Sequence, residues 1–295
     1  MQIAIYSRGF VKEDLPIIQL LLDELERAEI NAIIYAPFSE SLQPYIRFSK
    51  PPVTFSCAED LYGKADILVS LGGDGTLLDT VCYVRDKNIP VLGINFGRLG
   101  FLASIGKDAI NAAVQALKQR TYVVDKRSLL HLDSNVGLFG EVPYALNDFT
   151  IHKKDTSAMV KIHTYLNGEF LNTYWADGLI VSTPTGSTGY SLSCGGPVVF
   201  PEAGSFVITP VAPHNLNVRP VIIPDNHVLS FEVEGRSDQF LCTLDSRMET
   251  IDSTVQLAIK KEEFSISLVR LDDSNFLHTL RNKLLWGIDA RNALK

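Results

Sequence analysis

The periodicity of the sequence changes near Tyr122, and this change constrains the fold more than any other feature. Before it, short apolar runs alternate with amphipathic stretches, as where "QIAIYS" is followed by "LPIIQLLLDELERAEI". Beyond it, runs such as "MVKIHTYL" and "VLSFEVEG" alternate apolar and polar residues with a period of two. The first pattern is typical of strand–helix–strand units around a parallel sheet, and the second is typical of antiparallel strands.

These patterns predict an α/β plus all-β architecture. A chain of 295 residues is long enough for two hydrophobic cores. We predict a Rossmann-like parallel α/β domain over 1–122 and an antiparallel β-sandwich-like domain over 123–274. A C-terminal helix over 275–295 is expected to join the first domain. The β-rich half should hold nine or so strands, one of them over "EFLNTYWADGLIV" and two more over "TVQLAIKK" and "FSISLVRL".

Composition excludes several classes of partner. The net charge is -7 and no polybasic run occurs, so the chain has no basic field with which to hold nucleic acid. No apolar run approaches the ~18–20 residues of a membrane span. The four cysteines lack metal or disulfide spacing and are predicted to be reduced thiols, three of them buried. We therefore expect a cytoplasmic protein that binds neither nucleic acid nor membrane.

The stretch "LVSLGGDGTLLDT" contains an acid among three glycines. Glycines at Gly72, Gly73 and Gly75 permit positive φ and a close approach of an anion, and a helix starting near Thr76 would aim N–H groups at phosphate. Asp74 would repel phosphate unless it binds a metal or accepts a proton from an attacking hydroxyl. The alternative is that Asp74 caps the helix and the glycines form a tight turn. No Walker or GxGxxG pattern occurs in the chain.

Two segments of the β-rich half are further candidates. The stretch "DGLIVSTPTGSTGYSLSCGGPVV" places many hydroxyls beside flexible glycines, which suits a polyhydroxylated, phosphorylated ligand, and Tyr190 can stack on a base or ribose. A solvated loop would have the same composition. Asn147 and Asp148, in "YALNDFTIH", provide an amide and a carboxylate for a ribose diol, although such a pair also occurs in strand-end turns.

With these segments the chain resembles the NAD kinases over nearly its full length. GGDG alone is shared with phosphofructokinases and with diacylglycerol and sphingosine kinases, whereas the glycine-rich signature is much more specific. The matching segments are GGDG at 72–75, "GINFGRLGFL" at 93–102, Asn147-Asp148, "DGLIVSTPTGSTGYSLSCGGP" at 177–197, "APHNLNVRPVIIP" and "LRNKLLWG".

The resemblance implies transfer of the γ-phosphate of ATP to the 2′-hydroxyl of the adenosine ribose of NAD, giving NADP, with Mg²⁺ or another divalent cation whose ligands are unknown. Asp74 would be the proton acceptor. The residues implied in substrate binding are Gly73, Gly75 and Thr76 at the phosphate turn, Phe101 near adenine, Asn147 and Asp148 at the adenosine, Asp177 at the nicotinamide end, and Thr185, Thr188, Gly189, Tyr190, Ser191, Leu192 and Ser193 along the NAD site.

The family pattern also implies a homo-oligomer, commonly a tetramer, with each NAD site completed by a neighbouring subunit. The chain departs from the pattern at Asp245-Ser246-Arg247, where the family often has Asp-Gly-Gln, and shorter side chains stand at Gly189 and Asp148. His214 and Arg219 lie in a matched segment, with either a structural or a ligand role. The rival functions are a lipid kinase of the same superfamily and a catalytically silent NADP(H)-binding sensor.

Overall fold

The chain forms two compact units. In a computed structural model the described residues are 1–97, 100–154, 159–271 and 276–286. One unit comprises Met1–Asp125 and Ser267–Lys295, and the other comprises Lys126–Ile266. The second unit ends at Ile266, before the predicted boundary at residue 274. The strand Leu257–Arg270 begins in the second unit and ends in the first. Of the predicted C-terminal helix, residues 276–284 are helical, while residues 275 and 287–295 lie outside the described residues.

The first unit contains a parallel sheet with the strand order β5-β4-β1-β2-β3. Its strands are buried runs of Ile, Leu and Val, as expected where helices cover both faces. Ile3 lies beside Ile67, so β1 and β4 are direct neighbours and their carboxyl ends meet at one edge. The strands are β1 (Gln2–Tyr6), β2 (Asn31–Tyr35), β3 (Val53–Phe55), β4 (Ile67–Leu71) and β5 (Val91–Asn95), with β6 (Ile105–Gly106) beside β5.

Amphipathic helices connect these strands. In the first helix Ile18, Leu21 and Leu25 are buried, at the spacing that places them on one face toward the sheet. A helix over Ala36–Leu42 was not predicted from the sequence, because it is short and begins directly after a strand. The helices are α1 (Leu15–Arg27), α2 (Ala36–Leu42), α3 (Asp74–Val84) and α4 (Ile110–Gln119), with Phe276–Leu284 near the C-terminus and 3₁₀ turns at Lys12–Asp14 and Lys107–Ala109.

The second unit is built from antiparallel sheets. One sheet has the order β14-β13-β12-β9-β16-β17, and in the other β11, β10, β15 and the first residues of β18 are neighbours. The strands are β7 (Val123–Ser134), β8 (Tyr144–Ala145), β9 (Asp148–Lys153), β10 (Val160–Leu166), β11 (Glu169–Ala176), β12 (Gly178–Ser182), β13 (Ser205–Val211), β14 (Val221–Pro224), β15 (Leu229–Glu234), β16 (Phe240–Leu244), β17 (Arg247–Ile251) and β18 (Leu257–Arg270).

The apolar faces of these two sheets share one core. Phe149 of β9 and Phe231 of β15 are fully buried, and their ring centroids are 5.7 Å apart. The predicted fold class, a parallel α/β region followed by a sandwich-like antiparallel region, is therefore confirmed.

Two strand predictions were wrong in detail. "EFLNTYWADGLIV" forms two strands, because the chain passes from one sheet to the other at Asp177. Gly178 makes this passage possible, since a Cβ there would lie 2.5 Å from the carbonyl oxygen of Ile151. "TVQLAIKK" and "FSISLVRL" belong instead to one strand, since exposed polar residues in its middle interrupt the apolar pattern but not the extended backbone.

The prediction of three buried cysteines was also wrong. Cys242 is buried, Cys82 and Cys194 are partly exposed, and Cys57 is exposed. None of these four described residues is paired in a disulfide. Among the helices of the described ranges, none combines the length and the apolar character that crossing a membrane would require.

Candidate active site

The GGDG turn joins the end of β4 to the first residue of α3. Gly72 has φ of +147°, and a Cβ there would lie 2.5 Å from Thr76 Oγ1. Both facts require glycine, because a side chain at that φ is strained and would collide with the helix. The helix begins at Asp74, two residues before the predicted start near Thr76. Thr76 lies in its first turn and donates its N–H to the Gly73 oxygen at 3.0 Å.

Gly73 and Gly75 have no comparable internal reason to be glycine. Both are exposed. A Cβ at Gly73 would lie 3.9 Å from Asn95 Nδ2, and one at Gly75 would lie 3.5 Å from Arg8 Nη1, which are ordinary contact distances. The missing side chains instead leave the backbone of the turn open to a ligand of some bulk, as phosphate binding requires.

Asp74 does not cap the helix. The N-cap is Gly73, and the Asp74 carboxylate accepts backbone N–H groups from the segment that follows β5. Its Oδ2 accepts from Phe101 at 2.8 Å, and its Oδ1 accepts from Leu102 at 3.0 Å and Ala103 at 2.9 Å. The capping alternative is therefore wrong. Three donors fill most of the roughly four acceptor positions of a carboxylate, so Asp74 is held in one orientation.

The motif "GINFGRLGFL" builds the segment that holds Asp74. A Cβ on Gly100 would lie 1.7 Å from Asp74 Oδ1, and a Cβ on Gly93 would lie 2.7 Å from the Cα of Ala103. Glycine at both positions allows the segment to lie against β5 and the carboxylate. Within this motif, residues 98 and 99 lie outside the described residues.

In the second unit, Asn147 and Asp148 stand at the start of β9. Their backbone is held by Asp245, whose carboxylate accepts the N–H groups of Leu146 at 2.9 Å, Asn147 at 2.7 Å and Asp148 at 3.2 Å. From the other side, Thr183 donates its N–H to the Asn147 carbonyl at 2.9 Å. The pair is thus fixed by groups distant in sequence, more firmly than in a simple strand-end turn.

The side chains of Asn147 and Asp148 place polar atoms in a buried environment, which is unusual for these residue types. Asp148 is 8% exposed, and burial together with the nearby Asp245 carboxylate raises the pKa of Asp148 to about 7. Burial likewise raises the pKa of Asp245, against the effect of its three N–H donors. The Oδ1 atom of Asn147 is buried with no hydrogen-bond partner among the described residues. An acid and an amide in this state are suited to pair with groups of a ligand.

The segment after β12 is folded as a 3₁₀ turn over Thr185–Thr188 and a short helix over Tyr190–Ser193. Several of its hydroxyls serve the protein itself. Ser187 Oγ donates to the Pro184 carbonyl at 2.7 Å and accepts the Val199 N–H at 3.0 Å. Thr183 Oγ1 donates to the Leu146 carbonyl at 2.6 Å.

Of the residues predicted along this segment, Ser191 and Thr185 are buried. Ser191 Oγ is 2.8 Å from Thr209 Oγ1, and Thr185 Oγ1 lies 3.5 Å from Nη1 of the buried Arg127. Thr188 Oγ1 donates to the Thr185 carbonyl at 3.2 Å. Gly189 and Leu192 are partly exposed, and Ser193 is exposed. Part of the hydroxyl cluster therefore supports the loop and leaves its outer residues accessible.

Tyr190 lies against His152 of β9. The Tyr190 hydroxyl is 2.9 Å from His152 Nε2, and the two rings are stacked at 5.9 Å. Burial lowers the pKa of His152, so its neutral form is favoured. At the junction between β11 and β12, Asp177 forms an ion pair with Lys153, whose Nζ is 2.5 Å from Asp177 Oδ1. These contacts fix the rim of the segment.

Comparison with known proteins decides the family. The model for the ATP-NAD kinase C-terminal domain matches residues 146–271, and the model for the ATP-NAD kinase N-terminal domain matches residues 53–122. An NAD kinase of Cytophaga hutchinsonii is 50% identical over 293 residues, covering 99% of this chain and 100% of that protein. The chain belongs to the NAD kinase family.

Other members of the family agree. The NAD kinase of Flavobacterium psychrophilum is 45% identical over 294 residues, covering 99% of this chain and 100% of that protein. The structure of yeast NADH kinase complexed with NADH has a TM-score of 0.88 at 23% identity and covers 98% of this chain and 88% of that one. The structure of an NAD kinase from Archaeoglobus fulgidus in complex with ATP has a TM-score of 0.73 at 22% identity. The match covers 97% of this chain and 99% of that one. The two structures show the same fold.

Sequence reasoning on this NAD kinase missed the role of Asp245. It was noted only as part of a segment that departs from the family pattern, yet it anchors the Asn147-Asp148 backbone. Arg247, in the same departure, donates to the carbonyls of Val142 and Tyr144. Arg219 donates to the carbonyls of Leu216 and Val218, both at 2.8 Å, which supports the structural alternative for this residue. The sequence signal for Asp245 was its place in a two-residue turn between strands.

Proposed function

We propose that the protein transfers the γ-phosphate of ATP to the 2′-hydroxyl of the adenosine ribose of NAD and so makes NADP. The observation that carries this is the GGDG turn, where one oriented carboxylate stands between two exposed glycines. Membership of the NAD kinase family supports the reaction. The relatives with solved structures were captured with NADH in one case and with ATP in the other.

In the proposed mechanism Asp74 accepts the proton of the 2′-hydroxyl. A secondary hydroxyl is a weak nucleophile, so the main tasks are to place it in line with phosphorus and to remove its proton late. The N–H groups of Phe101, Leu102 and Ala103 fix the carboxylate, which needs no reorganisation when the proton arrives. One further acceptor position of the carboxylate suffices for this step.

The donor phosphates are assigned to Gly73, Gly75 and Thr76 of the turn. ATP enters as its complex with a divalent cation, for which Mg²⁺ is proposed, and the cation is therefore part of the substrate. Mg²⁺ is commonly held by substrate phosphates with only one or two carboxylates. The donor set of the turn, a single carboxylate largely occupied by N–H groups, fits that mode.

The NAD substrate is assigned to the second unit and to Phe101. Asn147 and Asp148 would bind the adenosine, and Asp148, with its pKa near 7, can donate as well as accept a hydrogen bond at neutral pH. Phe101 would pack near adenine and Asp177 would lie at the nicotinamide end. Thr185 and the residues from Thr188 to Ser193 would line the site, the buried Ser191 through its backbone. We further propose a cytoplasmic homo-oligomer, with a tetramer as the expected size.

A coupled assay tests the reaction. Purified protein with NAD, ATP and Mg²⁺ should form NADP, detected by an NADP-specific dehydrogenase. NADP no higher than in a protein-free control, across several divalent cations and with both ATP and polyphosphate, would contradict the proposal. No observation favours the lipid kinase or the silent sensor.

A further inference from the structure

Arg8 lies two residues after the end of β1, beside the GGDG turn, and no motif of the sequence pointed to it. The carboxyl ends of β1 and β4 are adjacent in the parallel sheet, and ligands of such sheets bind beyond these ends. Ser7 ties the two ends together, since its buried Oγ donates to the carbonyl of Leu71 at 2.7 Å. Arg8 therefore starts from a backbone position fixed against the strand that leads into the turn.

The guanidinium of Arg8 is oriented by Asp79 of α3. Its Nη2 lies 2.5 Å from Asp79 Oδ1, and its Nε donates to Asp79 Oδ2, so the pair is bidentate. The Tyr6 hydroxyl also donates to Asp79 Oδ2, at 3.0 Å. Burial raises the pKa of Tyr6, which keeps this hydroxyl protonated. Asp79 is thus held from two directions and holds the guanidinium in turn.

The third nitrogen of the guanidinium, Nη1, lies beside the phosphate turn. It lies 3.5 Å from the position that a Cβ on Gly75 would take. Gly75 and Asp79 are four residues apart and share one face of α3. The Arg8 side chain is 51% exposed and that of Asp79 is 19% exposed. The half-exposed Arg8 side chain therefore lies beside the exposed glycine where the donor phosphates are assigned.

Stability alone gives a weak reason for this arrangement. An ion pair whose arginine is half exposed contributes only about 0–1 kcal/mol. A planar guanidinium oriented by a carboxylate is, in contrast, well suited to meet a phosphate oxygen, because little side-chain freedom remains to be lost on binding.

We propose that Arg8 binds the phosphate chain of the donor nucleotide and that Asp79 is the positioning residue that orients it. The proposal rests on the proposed function for its choice of ligand. Arg8 would neutralise charge on the donor and hold it over the turn, while Asp74 serves the acceptor hydroxyl. Its contribution should appear in the KM for ATP more than in the KM for NAD.

The test compares Arg8→Ala and Arg8→Lys with Arg27→Ala, which removes another exposed ion pair of the same unit, with Glu24. Loss of a charged hydrogen bond should raise the KM for ATP by roughly ten- to a hundred-fold in Arg8→Ala, with the KM for NAD unchanged. Arg8→Lys keeps the charge but not the planar, bidentate donor group, so its KM for ATP should lie between those of wild type and Arg8→Ala. Arg27→Ala should behave as wild type.

Asp79→Asn tests the positioning role. It should raise the KM for ATP less than Arg8→Ala does, and in the double variant it should add little, since both changes act through one contact. Additive effects would mean that Asp79 acts by another route and would overturn its assignment. Thermal unfolding of each variant identifies any that fails to fold, in which case Arg8→Lys carries the comparison.

Calorimetry with the Mg²⁺ complex of a non-hydrolysable β,γ-methylene ATP analogue, without NAD, separates the two proposals. Weaker binding by Arg8→Ala than by wild type supports Arg8 even if no NADP is formed. An unchanged affinity and an unchanged KM for ATP in a protein that makes NADP would overturn the role of Arg8 and leave the proposed function standing.

Discussion

Asp74 combines two roles in one side chain, since the carboxylate proposed as the base is also the anchor of the segment 100–103. We expect Asp74→Asn to lower turnover by roughly 10²–10⁴, because the amide cannot take the proton. The NH₂ group of the amide is a donor and cannot accept a hydrogen bond from a backbone N–H. At least one of the three hydrogen bonds to Asp74 is therefore lost, and the segment 100–103 should be held less firmly. Steady-state kinetics measure the first effect, and the temperature midpoint of unfolding measures the second.

A folded Asp74→Asn protein with near-normal turnover would show that Asp74 is only an anchor. A loss of turnover matched by an equal loss of affinity for the ATP analogue would also argue against a base, because a base acts in the transition state and leaves ground-state binding almost unchanged.

Asp148 should make the stability depend on pH. Burial and the Asp245 carboxylate raise its pKa from an ordinary 3.8 to about 7 in the folded protein, so the folded state binds the proton more tightly than the unfolded state. This contribution is fully present below about pH 4 and is lost as pH rises to about 7, by a few kcal/mol at most. Urea unfolding at a series of pH values should show stability falling across this window. In Asp148→Asn the slope should be smaller, and an equal slope in both proteins would contradict the assignment to Asp148.

The sequence could single out Asp74, Asn147 and Asp148, because an acid among glycines and a polar pair inside an alternating run are local signals. It could not supply their partners. The donors to Asp74 lie 27 to 29 residues further on, and Asp245 lies 97 to 99 residues from the backbone it holds. Such contacts depend on which strands become neighbours, and no local pattern records that.

At the scale of elements, the segment after β5 is as important as the GGDG turn itself. We expect Gly100→Ala to damage the site, because the new Cβ would lie 1.7 Å from Asp74 Oδ1. Either the carboxylate or the segment must move, at a cost of about 1–3 kcal/mol in stability and a roughly ten- to a hundred-fold loss of turnover. Unfolding by urea and initial-rate kinetics give the two values.

Gly97→Ala is the matched comparison, since its Cβ would stand 3.7 Å from Asn95 Oδ1, an ordinary contact. Gly97→Ala should lower the stability to urea and the turnover much less than Gly100→Ala does. Equal effects of the two substitutions would mean that the close approach at Gly100 is not the cause.

Periodicity identified the type of most strands and helices, and its failures have physical causes. In "EFLNTYWADGLIV" strand-forming residues stand on both sides of Asp177, so no local signal separates the partly exposed β11 from β12, in which every residue is buried. Exposed charged residues in β18 had the opposite effect and suggested a break in a strand that continues. Helix α3 begins at Asp74, earlier than expected. Glycine and aspartate both occur at N-caps, so the residue types of the turn did not show which of them precedes the helix.

At the scale of the whole molecule, the change of period near Tyr122 was enough to predict a parallel α/β part followed by an antiparallel part. Assembly of chains is less accessible to sequence, because it depends on which sheet edges remain open. Open edges in the second unit include those of β11 and β14, each of which ends its sheet, and β17 ends the sheet of β14 on the other side. Phe170 of β11 is 58% exposed and Ile222 of β14 is 53% exposed. Open edges with apolar side chains are sites at which another chain can add.

We therefore expect the active form to be an oligomer joined through one of these edges, with a mass near four times that of the 32.6 kDa chain. Phe170→Lys and Ile222→Lys each place a charge on one edge, and the variant at the edge that forms the interface should have a lower mass in light scattering. The other of these two variants serves as the control, because it carries the same kind of change on an edge that stays exposed. Activity measured at the same concentration shows whether assembly is needed for turnover. A wild-type protein that is monomeric and fully active under assay conditions would contradict this prediction and would confine each site to a single chain.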